Sequence, residues 1–217
     1  MEEYRNSSGK RRVGLIGGTF DPVHYGHLVI AEEVCAVLTL DDMIFIPAGQ
    51  PPHKPGRRIT RAEDRLKMLE LAIASNQAFS LSRIEIERVG VSYTVETLRT
   101  LRAEWGVEVM LYFVIGWDSL EELHTWYNPG GLLACLDYLV AVSRPGYQEE
   151  KGYRARLEGR LPGITERLLV VEAPQLEISS TDLRRRVTEG RPIKYQVPEV
   201  VEQYIIQHGL YQEQKAQ

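Results

Sequence analysis

Between Val13 and Gly209 the chain alternates short apolar runs with longer stretches whose apolar positions recur every three to four residues. Val13–Ile16, Met43–Ile46, Val107–Ile115, Tyr138–Val142 and Leu168–Val171 read as strands, and Leu81–Ile86 alternates with a period of two. Val107–Ile115 is apolar enough for a central strand buried on both faces. Leu28–Leu38, Thr60–Ala74, Thr94–Trp105, Ser180–Thr188 and Pro198–Gln207 carry helical spacing. Thr60 and Glu63 form a capping-box signal, Pro198 stands at a favoured first position, and Gly209 marks a helix stop. This alternation predicts an α/β domain with a mostly parallel sheet. The loops that matter then follow Ile16, Ile46, Ile115 and Val142, at the carboxyl ends of strands. Residues 1–11 are polar and read as a disordered extension. Gly146–Gly163 is the wettest Gly- and Arg-rich stretch and reads as a mobile connection.

Composition narrows the class. The 217 residues are 43% hydrophobic and 26% charged, ordinary for a globular protein. A chain of this size buries roughly 70% of its unfolded surface and needs no staple. The net charge of −4 argues against a long nucleic acid as partner, while leaving a small anion open. Cys35 and Cys135 lie in apolar runs and read as buried thiols of a reducing cytoplasm. No apolar run reaches the ~20 residues of a bilayer span, so no membrane partner is expected. The polar start of the chain does not read as a secretory signal.

The chemistry concentrates after the first strand, in Gly17-Gly18-Thr19-Phe20-Asp21-Pro22-Val23-His24-Tyr25-Gly26-His27-Leu28. Glycines there allow a tight turn and close approach to a ligand. A helix starting near Gly26 would aim its free N–H groups at the same loop, making an anion site. His24 and His27, three apart, can share one side of that helix start and donate to phosphate oxygens. The string is neither G-x-G-x-x-G nor a P-loop. His-x-x-His as a zinc pair lacks an evident third ligand. A plain turn with two satisfied histidines is the bland alternative. Far downstream, Ile178-Ser179-Ser180-Thr181-Asp182-Leu183-Arg184 places cap residues before a helix, with Arg184 one turn in as a phosphate clamp. Arg185 and Arg186 read equally well as a solvated basic face.

Both segments resemble signatures of the nucleotidylyltransferase superfamily: G-G-[ST]-F-D-P-x-H-x-G-H and I-S-S-T-x-x-R. Further segments are similar to the bacterial nicotinate-mononucleotide adenylyltransferase family. They are Pro47–Lys54 (PAGQPPHK), Glu87–Thr94 (ERVGVSYT), Ile115–Leu120 (IGWDSL), Trp126-Tyr127, Arg144–Tyr147 (RPGY) and Tyr204–Tyr211 (YIIQHGLY). The likeness spans roughly residues 12–211. The related pantetheine-phosphate enzymes are usually shorter and are not expected to carry the PPHK or SYT segments. The fold expected on both grounds is α/β: a Rossmann-like open parallel sheet with helices on both faces and a small C-terminal helical segment. Residues 12–174 would form the nucleotide-binding domain, and 175–217 would pack on it.

The resemblance implies adenylyl transfer from ATP to nicotinate mononucleotide. His24, His27, Lys54 and Arg184 would be catalytic, with His27 nearer the transition-state oxygens and Lys54 and Arg184 on the β- and γ-phosphates. ATP would also meet Gly17, Gly18, Thr19, Phe20, Asp118, Ile178, Ser179, Ser180 and Thr181. The mononucleotide would meet Asp21, Lys54, Ser92, Tyr93, Thr94, Trp126 and Tyr127. Physical readings run alongside. Lys54 sits on a proline-stiffened loop, and residues 49–58 suit a lid. Asp118 could accept ribose hydroxyls or begin a helix. Trp126 and Tyr127 could wall a pyridine ring or pack in the core. Ser92–Thr94 opens a helix whose N–H groups suit a carboxylate, favouring the acid over the amide. Mg²⁺ would ride mainly on phosphate oxygens and water, with no protein metal ligand assigned. A homo-oligomer is compatible with the sequence. Two other readings stay open: a sibling enzyme using nicotinamide mononucleotide or another phosphate acceptor, and a nucleotide-binding protein without turnover.

Overall fold

The central strand shows why the chain builds a sheet covered on both faces. In β4 (Val109–Gly116), Leu111, Phe113 and Ile115 point to one side while Tyr112 and Val114 point to the other, and all five are buried. A strand with no polar face needs helices above and below. The computed structural model describes residues 9–49, 59–144, 146, 150–174 and 176–212. Its sheet holds β1 (Arg11–Gly18), β2 (Asp42–Pro47), β3 (Phe79–Leu81), β4, β5 (Tyr138–Ser143) and β6 (Leu168–Glu172). All neighbours are parallel, in the order β3-β2-β1-β4-β5-β6.

One face of the sheet packs on α1 (Tyr25–Leu38) and α2 (Ala62–Ile73), joined by α8 (Ser180–Thr188) and α9 (Glu199–Gln207). Ala31, Val34, Met68, Leu69, Leu183, Val201 and Ile205 form that core with Tyr112 and Val114. The other face packs on α3 (Thr94–Trp105), α4 (Trp117–Glu122), α5 (Pro129–Cys135) and α6 (Tyr153–Arg160), with the short α7 (Ile164–Arg167) leading into β6. Leu98, Leu101, Leu120, Leu132, Leu133 and Leu157 belong to that second core. Strand order reverses direction between β1 and β4, so a crevice opens beyond Gly18 and Gly116. The α/β architecture expected from sequence is the one observed. The 175–217 segment contributes Leu183, Ile193, Val197, Val201 and Ile205 to the first core.

Several expectations are corrected. Residues 9–11 are placed rather than frayed: Arg11 pairs with Val109, and Lys10 Nζ donates to the Val107 carbonyl at 2.8 Å. Residues 1–8 lie outside the described residues. The strand expected over Leu81–Ile86 is instead Phe79–Leu81. The Ser82 hydroxyl accepts from Ile84 N at 3.3 Å, a local turn that takes the chain off the sheet. The capping box at Thr60 and Glu63 does not form; Arg61 stands at the N-cap of α2 without a side-chain cap. Thr60 spends its groups elsewhere: its N–H donates to Asp21, and its carbonyl accepts from Arg65. Within the expected mobile connection Gly146–Gly163, α6 forms because Tyr153 and Leu157, one turn apart, are both buried. Cys35 and Cys135 are unpaired and only partly buried.

Candidate active site

The signature loop leaves β1 at Gly18 and enters α1 at Tyr25, with His24 in extended backbone at the cap position. Phe20 takes a left-handed φ of 49°, held there by its buried ring. That ring meets His27 edge-on at 5.0 Å and packs against Phe45. A non-glycine residue in this region costs on the order of 1–3 kcal/mol and persists only where packing enforces it. The peptide Asp21–Pro22 is cis. His24 and His27 stack with ring centroids 3.7 Å apart, and His24 N donates to His27 Nδ1 at 3.3 Å. Gly26 packs tightly beside them: a Cβ there would lie 3.0 Å from His24 Nδ1, so the ring would have to shift to admit one.

The stacked pair is neutral without a ligand. Burial lowers the His24 pKa to about 4. Burial, then the neighbouring His24, lowers His27 to about 3. An anion reaching them would oppose that shift, because opposite charge favours the protonated form.

The second signature lands on the first. Ser179 caps α8, accepting from Asp182 N at 3.1 Å. The Ser180 hydroxyl donates to the Pro22 carbonyl at 2.9 Å. Arg184 Nη1 donates to the Asp21 carbonyl at 2.6 Å, and Nη2 to Thr181 Oγ1 at 3.3 Å. Arg185 pairs with Asp182, and Arg186 donates to the Pro192 carbonyl, so both serve their own neighbourhood.

A cavity of about 450 Å³ opens at the crevice. Of the expected site residues, Gly17, Gly18, Thr19, His27, Ser92, Tyr93, Thr94, Trp126 and Tyr127 line it. His24, Phe20 and Asp21 are buried behind this wall. Asp118 stands exposed in the first turn of α4, while its neighbour Ser119 reaches the cavity. Ile178, Ser179, Ser180, Thr181 and Arg184 belong to the α8 entry described above, not to the cavity wall. Lys54 and the lid expected over 49–58, apart from Gly49, lie outside the described residues.

Aromatic side chains shape the far end. Tyr93 and Tyr127 pack with centroids 4.4 Å apart, and Trp126 meets Phe113 edge-on at 6.5 Å. Tyr127 is 58% exposed, so the core reading of it is corrected. Ser92 precedes α3, and its hydroxyl donates to the Glu85 carbonyl at 3.4 Å. Gly49 packs against the same carbonyl; a Cβ there would come within 2.2 Å of it.

These features meet a family model described as cytidylyltransferase-like over residues 15–186. The chain belongs to that family. A relative from Moorella thermoacetica, named probable nicotinate-nucleotide adenylyltransferase, is 48% identical over 205 residues, covering 92% of this chain and 91% of its own. A relative of the same name from Thermomicrobium roseum is 46% identical over 200 residues, covering 92% and 91%. The fold matches a Plasmodium falciparum nicotinic acid mononucleotide adenylyltransferase complexed with NaAD. That match has a TM-score of 0.73 at 18% identity and covers 93% of this chain and 97% of the other.

Sequence reasoning missed Glu85 and Arg65. The Glu85 carboxylate accepts from Thr97 Oγ1 at 2.8 Å and lines the cavity, and burial raises its pKa. A carboxylate inside a period-two run reads as the wet side of a strand, so nothing local marked it. Arg65 lies among the apolar positions of α2 and is 2% exposed. Its i, i+3 and i+4 neighbours Met68 and Leu69 face the core, and that spacing was the available signal.

Proposed function

We propose that the protein joins nicotinate mononucleotide to the AMP moiety of ATP, giving deamido-NAD and pyrophosphate, a step of NAD biosynthesis. The observation that carries this reading is the meeting of two signatures some 150 residues apart at one crevice. Ser180 and Arg184 bond the backbone of Pro22 and Asp21 there. In the reaction a phosphate oxygen of the mononucleotide attacks the α-phosphorus of ATP, an O–P bond forms, and the bond to pyrophosphate breaks. The attacking oxygen is already largely ionised at neutral pH, so positioning and charge neutralisation carry the catalysis.

His27, on the cavity wall, is assigned to the transferring phosphate, with His24 stacked behind it. Arg184, together with Lys54, is assigned to the β- and γ-phosphates. Trp126, Tyr127 and Tyr93 supply the aromatic wall for the pyridine ring. The N-terminus of α3, opened by Ser92–Thr94, supports recognition of the nicotinate carboxylate. Among the described residues no group of three or more His, Cys, Asp or Glu could hold a metal ion. Mg²⁺ delivered on the polyphosphate would neutralise leaving-group charge while the chain grips the phosphates. No helix among the described residues is long and apolar enough to cross a membrane. A cytoplasmic setting suits the two unpaired thiols.

Pyrophosphate release from ATP, Mg²⁺ and nicotinate mononucleotide tests the reading. Faster turnover with nicotinamide mononucleotide would replace the substrate. His27→Ala is expected to lower kcat by about 10²–10³-fold, as when one donor to a developing charge is lost. A near-normal rate removes His27 from the mechanism.

A further inference from the structure

Among the described residues Arg65 is the largest fully buried side chain, and no signature segment contains it. Its Nη1 donates to the Thr19 carbonyl at 2.9 Å, and its Nε to the Thr60 carbonyl at 3.1 Å. Thr19 lines the cavity. A buried cation is retained only with compensation. Here burial pushes the guanidinium pKa down, and the Asp21 carboxylate opposes it most. Asp21 is itself 3% exposed. Its Oδ1 accepts from the Tyr211 hydroxyl at 2.7 Å, and its Oδ2 from Thr60 N at 3.3 Å. Its backbone carbonyl accepts from Arg184, the clamp residue of α8. Tyr211 follows α9 and is anchored in turn, its carbonyl accepting from Thr188 Oγ1 at 2.8 Å. Burial and the Asp21 charge both push the Tyr211 phenol upward, so it remains a donor.

We infer that Arg65 is a positioning residue for the phosphate-binding loop, and that Tyr211 of the C-terminal segment, through Asp21, holds Arg65 and Arg184 in place. The geometry gives each member one task. Arg65 fixes the Thr19 end of the loop, and Arg184 meets the Asp21 end. Asp21 supplies the counter-charge between them, so its role is internal rather than contact with the mononucleotide. Tyr211 takes one lone pair of that carboxylate and ties the last helix to the loop. Of these groups only Thr19 reaches the cavity wall, so Arg65, Asp21 and Tyr211 do not touch the reacting atoms, whereas Arg184 is the member assigned to the phosphates. The C-terminal segment thereby belongs to the transfer machinery as well as to the core. This inference rests on the reading that the loop binds the ATP phosphates.

The test uses the full chain with Tyr211→Phe, which keeps the ring and removes one hydrogen bond, and Arg65→Lys, which keeps the charge and removes the fork. Melting temperature, kcat, KM for each substrate and the equilibrium Kd for ATP are measured well below each variant's melting range. Arg65→Lys is expected to lower kcat/KM for ATP tenfold or more, and Tyr211→Phe three- to tenfold. KM for nicotinate mononucleotide should stay within twofold, because Ser92–Thr94 and Trp126 are untouched. ATP parameters within twofold of wild type in both variants overturn the inference. So does an equal loss for both substrates, or a loss that vanishes on cooling, since either marks a merely structural role. If Arg65→Lys does not fold, Tyr211→Phe decides alone. If the wild-type chain releases no pyrophosphate, the functional reading fails, while weaker ATP binding by the variants still supports the positioning role and unchanged binding refutes it.

Discussion

Two stacked imidazoles held neutral inside the phosphate loop make the folded protein sensitive to acid. In the unfolded chain each histidine titrates near 6.5; folded, His24 titrates near 4 and His27 near 3. Below pH 6.5 the unfolded state therefore binds protons that the folded state refuses. Stability falls as pH drops from about 6.5 towards the folded values. At pH 5 the loss is about 1.36 kcal/mol times 1.5 pH units, or about 2 kcal/mol per histidine. The rings are coupled and His27 faces the cavity, so about 3 kcal/mol is a fair figure for the pair. Urea unfolding followed by tryptophan fluorescence at pH 7 and pH 5 measures it. The control is the His24→Asn, His27→Asn double variant. Glu158 and Asp182, whose hydrogen bonds hold them below the usual carboxylate range, are present in both proteins and cancel in the comparison. The wild-type chain should lose about 3 kcal/mol more than the variant over that interval. Equal pH dependence in the two proteins would show that the rings titrate normally, and the account of a neutral pair recruited by an anion would fall with it.

Other consequences follow from the same geometry. Gly49→Ala would drive a methyl into the Glu85 carbonyl, 2.2 Å away, and towards Ser92 Oγ, 2.9 Å away. Steady-state kinetics should show KM for the mononucleotide rising tenfold or more with KM for ATP little changed; an unmoved mononucleotide KM refutes it. Tyr127→Ala removes an exposed ring packed on Tyr93, so thermal unfolding should shift by less than about 1 kcal/mol while mononucleotide affinity falls. Arg102 bonds the carbonyls of Cys135, Gly106 and Val109 and the carboxylate of Asp137. Arg102→Ala strands those acceptors and should cost about 2–4 kcal/mol in urea unfolding; a cost below 1 kcal/mol would mean that water replaces the guanidinium.

Legibility in the sequence followed the range of the interactions. The strands β1, β2, β4, β5 and β6 could be read because burial on one or both faces forces a short apolar run, whatever the partner strand. Helices α1, α2, α3, α8 and α9 could be read from apolar spacing, and α8 from its Ser179 cap as well, whereas Pro198, expected at the first position of α9, stands at its N-cap. The failures lie where a residue's partner is remote. Thr60 looks like a cap from its neighbours, yet its N–H and carbonyl go to Asp21 and Arg65. Leu81–Ile86 looks like a strand, yet Ser82 turns it off the sheet edge. Helix α6 rests on two buried anchors in an otherwise wet stretch.

The site divides in the same way. By itself the sequence determined the chemical inventory: a glycine loop entering a helix, two histidines three apart, a capped arginine helix and an aromatic pair. These are short-range patterns, and short-range chemistry is written in consecutive residues. Only the tertiary structure decided which of them meet. It set Arg184 on the Asp21 carbonyl across 163 positions and Tyr211 on the Asp21 carboxylate across 190. It also buried Asp21, whose carboxylate accepts from the Tyr211 hydroxyl and Thr60 N. A buried charge takes its role from the partners that the fold brings to it, and those partners lie too far along the chain for any local pattern to record.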